Sequence, residues 1–341
     1  MDPLTHTATG LFLSRVGLNR WTPNAAPILM LAANAPDIDI VTAWGGSLNY
    51  IHYHRHLTHS LVAMPMMAIL PVLLVWGVFR KRVAWAGAFL AALIAVASHL
   101  LLDFTNVYGI RLLLPFSGEW LRLDTTAVID LWIWGALLLG VAVPSLSRLV
   151  SSEISSGKAR SINHGRASAA FALVFILLYD GGRAVLHRRA VATLESRLYQ
   201  GEAPSRVVAI PGFDPLRWRG LVETAGFYQV SDLDLNGAWN PAHGMVFYKA
   251  APEAALDAAR RTATFQRFLA FAQFPLWRIT PAPEIERGKR VELFDMRFGT
   301  PAEPGFMTRA LLNGQGVVVS TSFQFGVQRP VRSVSGDVGS P

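Results

Sequence analysis

Uncharged apolar stretches separated by short polar ones fill the first half of the chain, and the pattern changes character near residue 206. Residues 61–79 run 19 positions without a charge, and residues 83–102 run 20 more with only Ser98 and His99 as polar interruptions. As helices, both are long enough to cross roughly 30 Å of hydrocarbon. Arg80-Lys81-Arg82 lies between them. It predicts a helical hairpin whose basic turn faces the cytoplasm, because Lys and Arg concentrate in cytoplasmic loops. Further spans are expected over 127–147, with Asp130 near its start, and over 167–182, interrupted by Asp180. Pro65 and Pro71 fall inside the first span, where neighbouring helices can satisfy the backbone groups that proline frees. Residues 148–166, Ser-rich and carrying Arg148, Lys158, Arg160 and Arg166, read as a loop returning to the cytoplasmic side.

Beyond Arg206 short apolar runs alternate with turn residues. Residues 207–210, 226–230, 244–248, 291–298 and 317–321 read as strands. One helix is expected over 252–274, with Leu256, Phe268, Leu269 and Phe271 on its packing face. The expected architecture is an α-helical multi-pass membrane domain over 1–182, a linker over 183–205, and a small α+β domain with an antiparallel sheet over 206–327. Trp218, Trp239 and Trp277 read as core of that second domain, with a lipid-facing or ligand-binding surface as the alternative. The tail over 328–341, of Pro, Ser and Gly, reads as disordered.

Composition locates the lipid preference. Charged residues make up 16% of the 341-residue chain, against about 25% in soluble domains. They number 21 among residues 1–182 and 33 among the remaining 159, so the deficit belongs to the first half. A net charge of +8 is spread over both halves, which suits an anionic membrane surface and argues against a nucleic-acid cleft with one basic stripe. The N-terminus lacks the basic start and apolar core of a cleavable signal and is expected to be retained. The second domain is expected on the extracytoplasmic side.

The chain has no cysteine, so a metal would be held by His, Asp or Glu. Six of the nine histidines fall in the first 99 residues, four of them between His52 and His59. Upstream stands Pro36-Asp37-Ile38-Asp39, which reads as either a pair of ligands or a helix cap with its turn. Downstream, His99 and Asp103 are four apart and share a helix face. Folding the hairpin brings His59, His99 and Asp103 to the end opposite the basic turn. Imidazoles with carboxylates suit zinc, manganese or iron, with ligands enough for one or two ions, and such ions activate water for phosphoester hydrolysis. Two roles fit Arg55 equally, steadying a substrate anion or pairing with a carboxylate.

Thr5-His6, Pro36-Asp37-Ile38-Asp39, His54-Arg55-His56-Leu57-Thr58-His59-Ser60 and Ser98-His99-Leu100-Leu101-Leu102-Asp103 together resemble the YdjM-like membrane-bound metal-dependent hydrolases of bacteria. The resemblance covers roughly the first 130 residues. It implies a multi-pass inner-membrane protein with hydrolase activity. Residues 218–223 and 291–298 look like the C-terminal extension of longer members. The order of His and Asp is also similar to zinc-dependent phospholipase C. That similarity implies His6, Asp37, His59, His99 and Asp103 as ligands, with Asp103 bridging. The chain departs from it in having no His-x-x-x-Glu after residue 103; Asp124, Asp130 and His54 are the nearby substitutes.

The expected function is therefore a membrane-bound metal-dependent hydrolase acting on a phosphoester or related ester of a membrane-associated substrate. The expected ligands of one or two divalent ions, zinc first and manganese second, are His6, Asp37, Asp39, His59, His99 and Asp103, with Arg55 or His54 steadying the anion. The competing expectation is a non-enzymatic inner-membrane metal-binding or scaffold protein serving envelope stress. No nucleic-acid partner is expected.

Overall fold

A computed structural model describes residues 1–154 and 164–326. The tail over 328–341, expected to be disordered, lies outside the described residues. The chain forms two compact units, one of Met1–Trp44 with Tyr53–Tyr248, the other of Gly45–His52 with the chain from Lys249 onward. The division after Tyr248 falls inside the stretch 206–327.

The first unit opens with helix α1 (Pro3–Val16) and helix α2 (Ala25–Ala32), followed by an 11-residue 3-10 run, Ala35–Gly45. The short helix α3 (Ser47–Tyr53) falls, up to His52, in the second unit, and the first unit resumes with α4 (Met64–Gly77), α5 (Trp85–Thr105), α6 (Leu131–Ile154) and α7 (His164–Glu195). Alanines 88, 91, 92 and 95 of α5 are buried against Ile28 and Leu29 of α2 and Met67, Val72 and Val75 of α4. Such small side chains let helices approach closely where lipid offers no hydrophobic drive. A second layer joins Phe12 of α1 to Ile133 and Leu137 of α6 and Ala169, Ala172 and Ile176 of α7. Gly10 makes the crossing of α1 with α2 possible, since a Cβ there would lie 2.4 Å from the Leu29 carbonyl oxygen.

The hairpin is present with shifted bounds. α4 starts at Met64 rather than at 61 because residues 57–63 are spent on turns. Ser60 Oγ donates to the Leu57 carbonyl and accepts from Ala63 N–H, while Leu61 N–H donates to the Leu112 carbonyl. Its 14 residues rise only about 21 Å. Among the described residues, α5 and the Gly165–Glu195 part of α7 are each long and apolar enough to cross a membrane, and up to four helices or bent pairs are so if each of two bent helix pairs counts as one span. The apolar part of α6, Leu131–Ser147, is shorter. Asp130 is the cap of α6, its Oδ1 accepting from the N–H groups of Trp132 and Ile133. The ends of the expected 148–166 loop are helical, and its middle, 155–163, lies outside the described residues.

α7 also continues through the expected linker to Glu195. Its last turns are buried, because Ala190 and Leu194 pack with Trp218, Val222, Phe227 and Leu233 of the first sheet. That sheet is an antiparallel meander of β1 (Arg206–Pro211), β2 (Arg217–Glu223), β3 (Phe227–Asp234) and β4 (Met245–Tyr248). A Cβ at Gly220 would meet Leu194 Cδ2 at 2.7 Å, so glycine lets the strand lie on the helix.

The second unit is a second antiparallel meander, β5 (Pro275–Ala282), β6 (Gly288–Asp295), β7 (Phe306–Leu312) and β8 (Val318–Phe325). Two short helices, α8 (Ala254–Arg260) and α9 (Ala263–Leu269), replace the single helix expected over 252–274. The break falls at Thr262, whose hydroxyl caps α9 by accepting from Phe265 N–H. Glu292 of β6, buried, ties its neighbours in register. It accepts from Arg278 of β5 at 2.6 and 2.8 Å and from Arg309 of β7 at 3.0 Å.

Candidate metal centre

Four segments of the first unit deliver the polar side chains. Asp2 caps α1, accepting from the N–H groups of Leu4 and Thr5, and the helix buries His6 one turn in. The 3-10 run after Pro36 carries Asp37 and Asp39. The turn before α4 carries His54, Arg55 and His59, and it reverses at Arg55, whose φ of 59° is left-handed. α5 contributes His99 and Asp103 from successive turns of one face.

Asp39 closes the turn onto the 3-10 run. Its Oδ2 accepts from Arg55 N–H at 2.9 Å and from the Thr58 hydroxyl at 3.2 Å, and its Oδ1 lies 2.9 Å from His54 Nδ1. The same Oδ2 is 3.4 Å from His59 Nδ1, on the side of the ring away from Asp103. Such a carboxylate behind an imidazole fixes its tautomer and raises its basicity as a ligand. His99 is oriented likewise. Its Nδ1 is 2.7 Å from the Ala33 carbonyl, an acceptor only, so Nδ1 carries the proton and Nε2 the lone pair.

On the inner side the ligand atoms of Asp37, His59, His99 and Asp103 all lie within 4.8 Å of one another. His59 Nε2 is 3.4 Å from Asp37 Oδ1, 3.4 Å from Asp103 Oδ2 and 3.1 Å from His99 Nε2. His99 Nε2 is 3.7 Å from Asp37 Oδ1 and 3.5 Å from Asp103 Oδ2. Four ligands at about 2.0–2.2 Å from a tetrahedral ion stand about 3.3–3.6 Å apart. These five separations bracket that edge length. With Nδ1 of each ring turned to an oxygen acceptor, both Nε2 atoms can present lone pairs to a cation held between them and the carboxylates. The group could therefore hold a metal ion.

Charge counting agrees. Asp37, Asp39 and Asp103 converge on His59, Asp103 pairs with the buried Arg55 guanidinium, and burial holds the Met1 amine that contacts Asp103 Oδ1 below its ordinary range, toward the neutral form. Three carboxylates against one guanidinium leave two negative charges, which a divalent cation balances. Arg55 holds the floor of the site through both terminal nitrogens. Nη2 donates to Asp103 Oδ1 at 2.9 Å, Nη1 donates to Asn106 Oδ1 at 2.9 Å and to the Gly109 carbonyl at 3.3 Å, and the guanidinium lies 4.7 Å from the centre of the Tyr108 ring.

His6 stands on the other oxygen of Asp103, its Nε2 3.5 Å from Oδ1, with its ring stacked on His99 at 3.9 Å. Neither ring nitrogen has a hydrogen-bond partner. Burial first, then the neighbouring His99, hold this imidazole well below its ordinary range, so it is neutral with a lone pair to give. Asp37, Asp39 and His54 make up a second group of mutually close ligand atoms. Asp124 is paired with Arg122 at 2.6 and 2.7 Å, and Asp130 accepts from the Tyr179 hydroxyl besides capping α6, so both are committed elsewhere. The supporting groups Ala33, Thr58, Asn106 and Tyr108 were not expected. Asn106, a polar residue three beyond Asp103, carried a faint signal; a backbone carbonyl carries none.

A family profile described as YdjM inner membrane protein matches residues 1–190, more than half of the 341 residues. A similar curated protein, the uncharacterized protein YfhP of Bacillus subtilis, is 32% identical over 152 residues. That match covers 42% of this chain and 46% of YfhP, so the chain spans less than half the length of this relative. No solved structure matches.

Proposed function

Because the chain belongs to the YdjM inner membrane protein family, we propose that it is a membrane-bound metal-dependent hydrolase of a phosphoester, or a related ester, in a membrane-associated substrate. The observation that carries the reading is the set of near-tetrahedral separations among Asp37, His59, His99 and Asp103. Zinc suits two imidazoles and two carboxylates, and manganese is the second candidate. His6, facing the second oxygen of Asp103, and the Asp39/His54 pair beside Asp37 are where a second ion would find ligands. A divalent ion held there supplies Lewis acidity and lowers the pKa of a water molecule.

The chain's own residues supply the rest. Asp37 is the most exposed of the four, at 22% against at most 1% for the others, so substrate approaches from its side. Ile38, Ile40, Val41 and Trp44 beside it are exposed and apolar, a surface suited to a substrate held in lipid. Arg55, engaged with Asp103 and Asn106, is a positioning residue. His54, braced by Asp39, steadies the anion. Hydrolysis breaks the ester P–O bond, joins the water oxygen to phosphorus, passes one proton to the leaving oxygen and releases the other to solvent.

One observation favours the non-enzymatic reading. Four protein ligands around one ion leave no open position, a pattern of structural metal sites. The two readings separate on purified protein in detergent. Elemental analysis is expected to find stoichiometric metal in the wild type and none in His99→Ala/Asp103→Ala. Turnover of a phosphoester panel, lost with chelator and restored by zinc or manganese, supports the enzyme. Bound metal without turnover supports the structural site, and a wild type without metal removes both.

A further inference from the structure

The end of the α4–α5 hairpin away from the metal centre carries a second polar feature. A cavity of about 510 Å³ opens there, lined by Trp76, Arg80, Lys81, Arg82 and Trp85 among others. Three of these are cations and no carboxylate lines the cavity. The connection is built rather than slack. Lys81 N–H donates to the Val75 carbonyl at 3.1 Å, Asn24 Nδ2 donates to the Arg82 carbonyl at 2.9 Å, and Ala84 N–H donates to Thr22 Oγ1 at 3.0 Å. Arg80 takes a left-handed φ of 53° to make the reversal. Keeping three like charges on a fixed turn costs repulsion that an anion relieves.

We propose that this turn binds the headgroup of a phospholipid carrying two phosphate charges. The occupant is a lipid rather than a soluble phosphate because apolar surface adjoins the cations. Leu73, Leu74, Val78 and Phe79, within three positions of the lining residues Trp76 or Arg80, are exposed, and acyl chains would lie along them with the headgroup among the basic side chains. Trp76 and Trp85 meet edge to face at 5.3 Å across the helix ends. Tryptophan at that position marks the interface of a bilayer, and basic pockets between helix ends are suited to multiply charged headgroups. Two phosphates, rather than one, match three cations. The first turn of α5, with no side-chain cap and no acidic residue, adds backbone N–H groups of the same sign.

The test uses the full chain in detergent micelles doped equally with cardiolipin, phosphatidylglycerol and phosphatidylcholine, read by native mass spectrometry. Cardiolipin is expected to be retained about tenfold over phosphatidylglycerol, and Arg80→Gln/Lys81→Gln/Arg82→Gln is expected to erase the preference. Arg188→Gln/Arg217→Gln/Arg260→Gln, with the same change of charge elsewhere, should leave it intact. Should the first variant fail to fold, the wild type with a diazirine-bearing cardiolipin still decides. Adducts on residues 73–85 support the site, and adducts only on other segments overturn it. Equal retention of the two anionic lipids overturns it too. Displacement of the lipid by inorganic pyrophosphate at comparable concentration would assign the turn to a soluble anion instead.

Discussion

Asp103 shows how much a single side chain is asked to do. One oxygen faces His59 and His99, and the other receives Arg55 and faces His6. Arg55 can hold it only as a planar fork that also reaches Asn106 and Gly109. Lysine keeps the charge and loses the fork. Arg55→Lys is therefore expected to lower stability by about 2 kcal/mol, the scale for leaving buried hydrogen-bond partners unsatisfied, read as a fall in the unfolding midpoint in detergent. Asp39 makes a different prediction. It touches His59 from behind, so Asp39→Asn should weaken metal affinity by about 10–100-fold, whereas His59→Ala should abolish stoichiometric binding. A competition titration with a chromogenic chelator measures both. If Asp39→Asn lost the metal as completely as His59→Ala, Asp39 would be a direct ligand.

This division of roles was only half legible in the sequence. The spacing of His99 and Asp103 on one helix face and the clustering of histidines before residue 60 signalled the inner ligands, because i,i+4 geometry is local. The roles of Asp37 and Asp39 could not be separated, since two carboxylates two apart read alike until the 3-10 run turns one to each side of His59. Arg55 was similarly ambiguous, and its commitment to Asp103 depends on a contact across 48 positions.

Elements were legible where apolar runs were long and hidden where backbone chemistry intervened. α5 falls close to its expected span because nothing interrupts Trp85–Thr105 but the site residues themselves. β5 was missed because Pro275 and Pro281 argue against a strand, and it tolerates them as the edge of its sheet. β2 was missed because Arg217 and Arg219 interrupt its apolar positions, although Trp218 on the opposite face is buried. Two glycines mark where elements press together, with different consequences. At Gly10 the obstacle is the Leu29 backbone, which cannot yield without moving α2. At Gly220 it is the end of the Leu194 side chain, which can rotate. Gly10→Ala is expected to cost about 2–3 kcal/mol and Gly220→Ala about 1 kcal/mol, within the range for overpacking. Thermal unfolding of the two variants in one detergent checks the order, and equal losses would show that helix and strand yield alike.

At the scale of the whole chain, the candidate metal centre and the first sheet belong to the same compact unit, and a continuous set of contacts joins them. The N–H groups of Thr125 and Thr126 donate to the Thr105 carbonyl at the end of α5, two residues from Asp103. The buried Arg183 of α7 donates to the Thr125 carbonyl at 2.8 Å and stacks 4.2 Å over the Trp218 ring of β2. The second unit has its own core and its own ion network at Glu292. Such a chain need not unfold in one step. An ion bound only by the folded first unit stabilises that unit by about 4 kcal/mol when free metal is about 1,000 times its dissociation constant. Removing it with a chelator is then expected to shift one calorimetric transition downward and leave the other where it was. Aromatic circular dichroism of Trp218→Phe and Trp277→Phe variants identifies which transition belongs to which sheet, since Trp218 lies in β2 and Trp277 in β5. Chelation that moved the transition reported by Trp277 alone, or neither transition, would contradict a metal centre in the first unit.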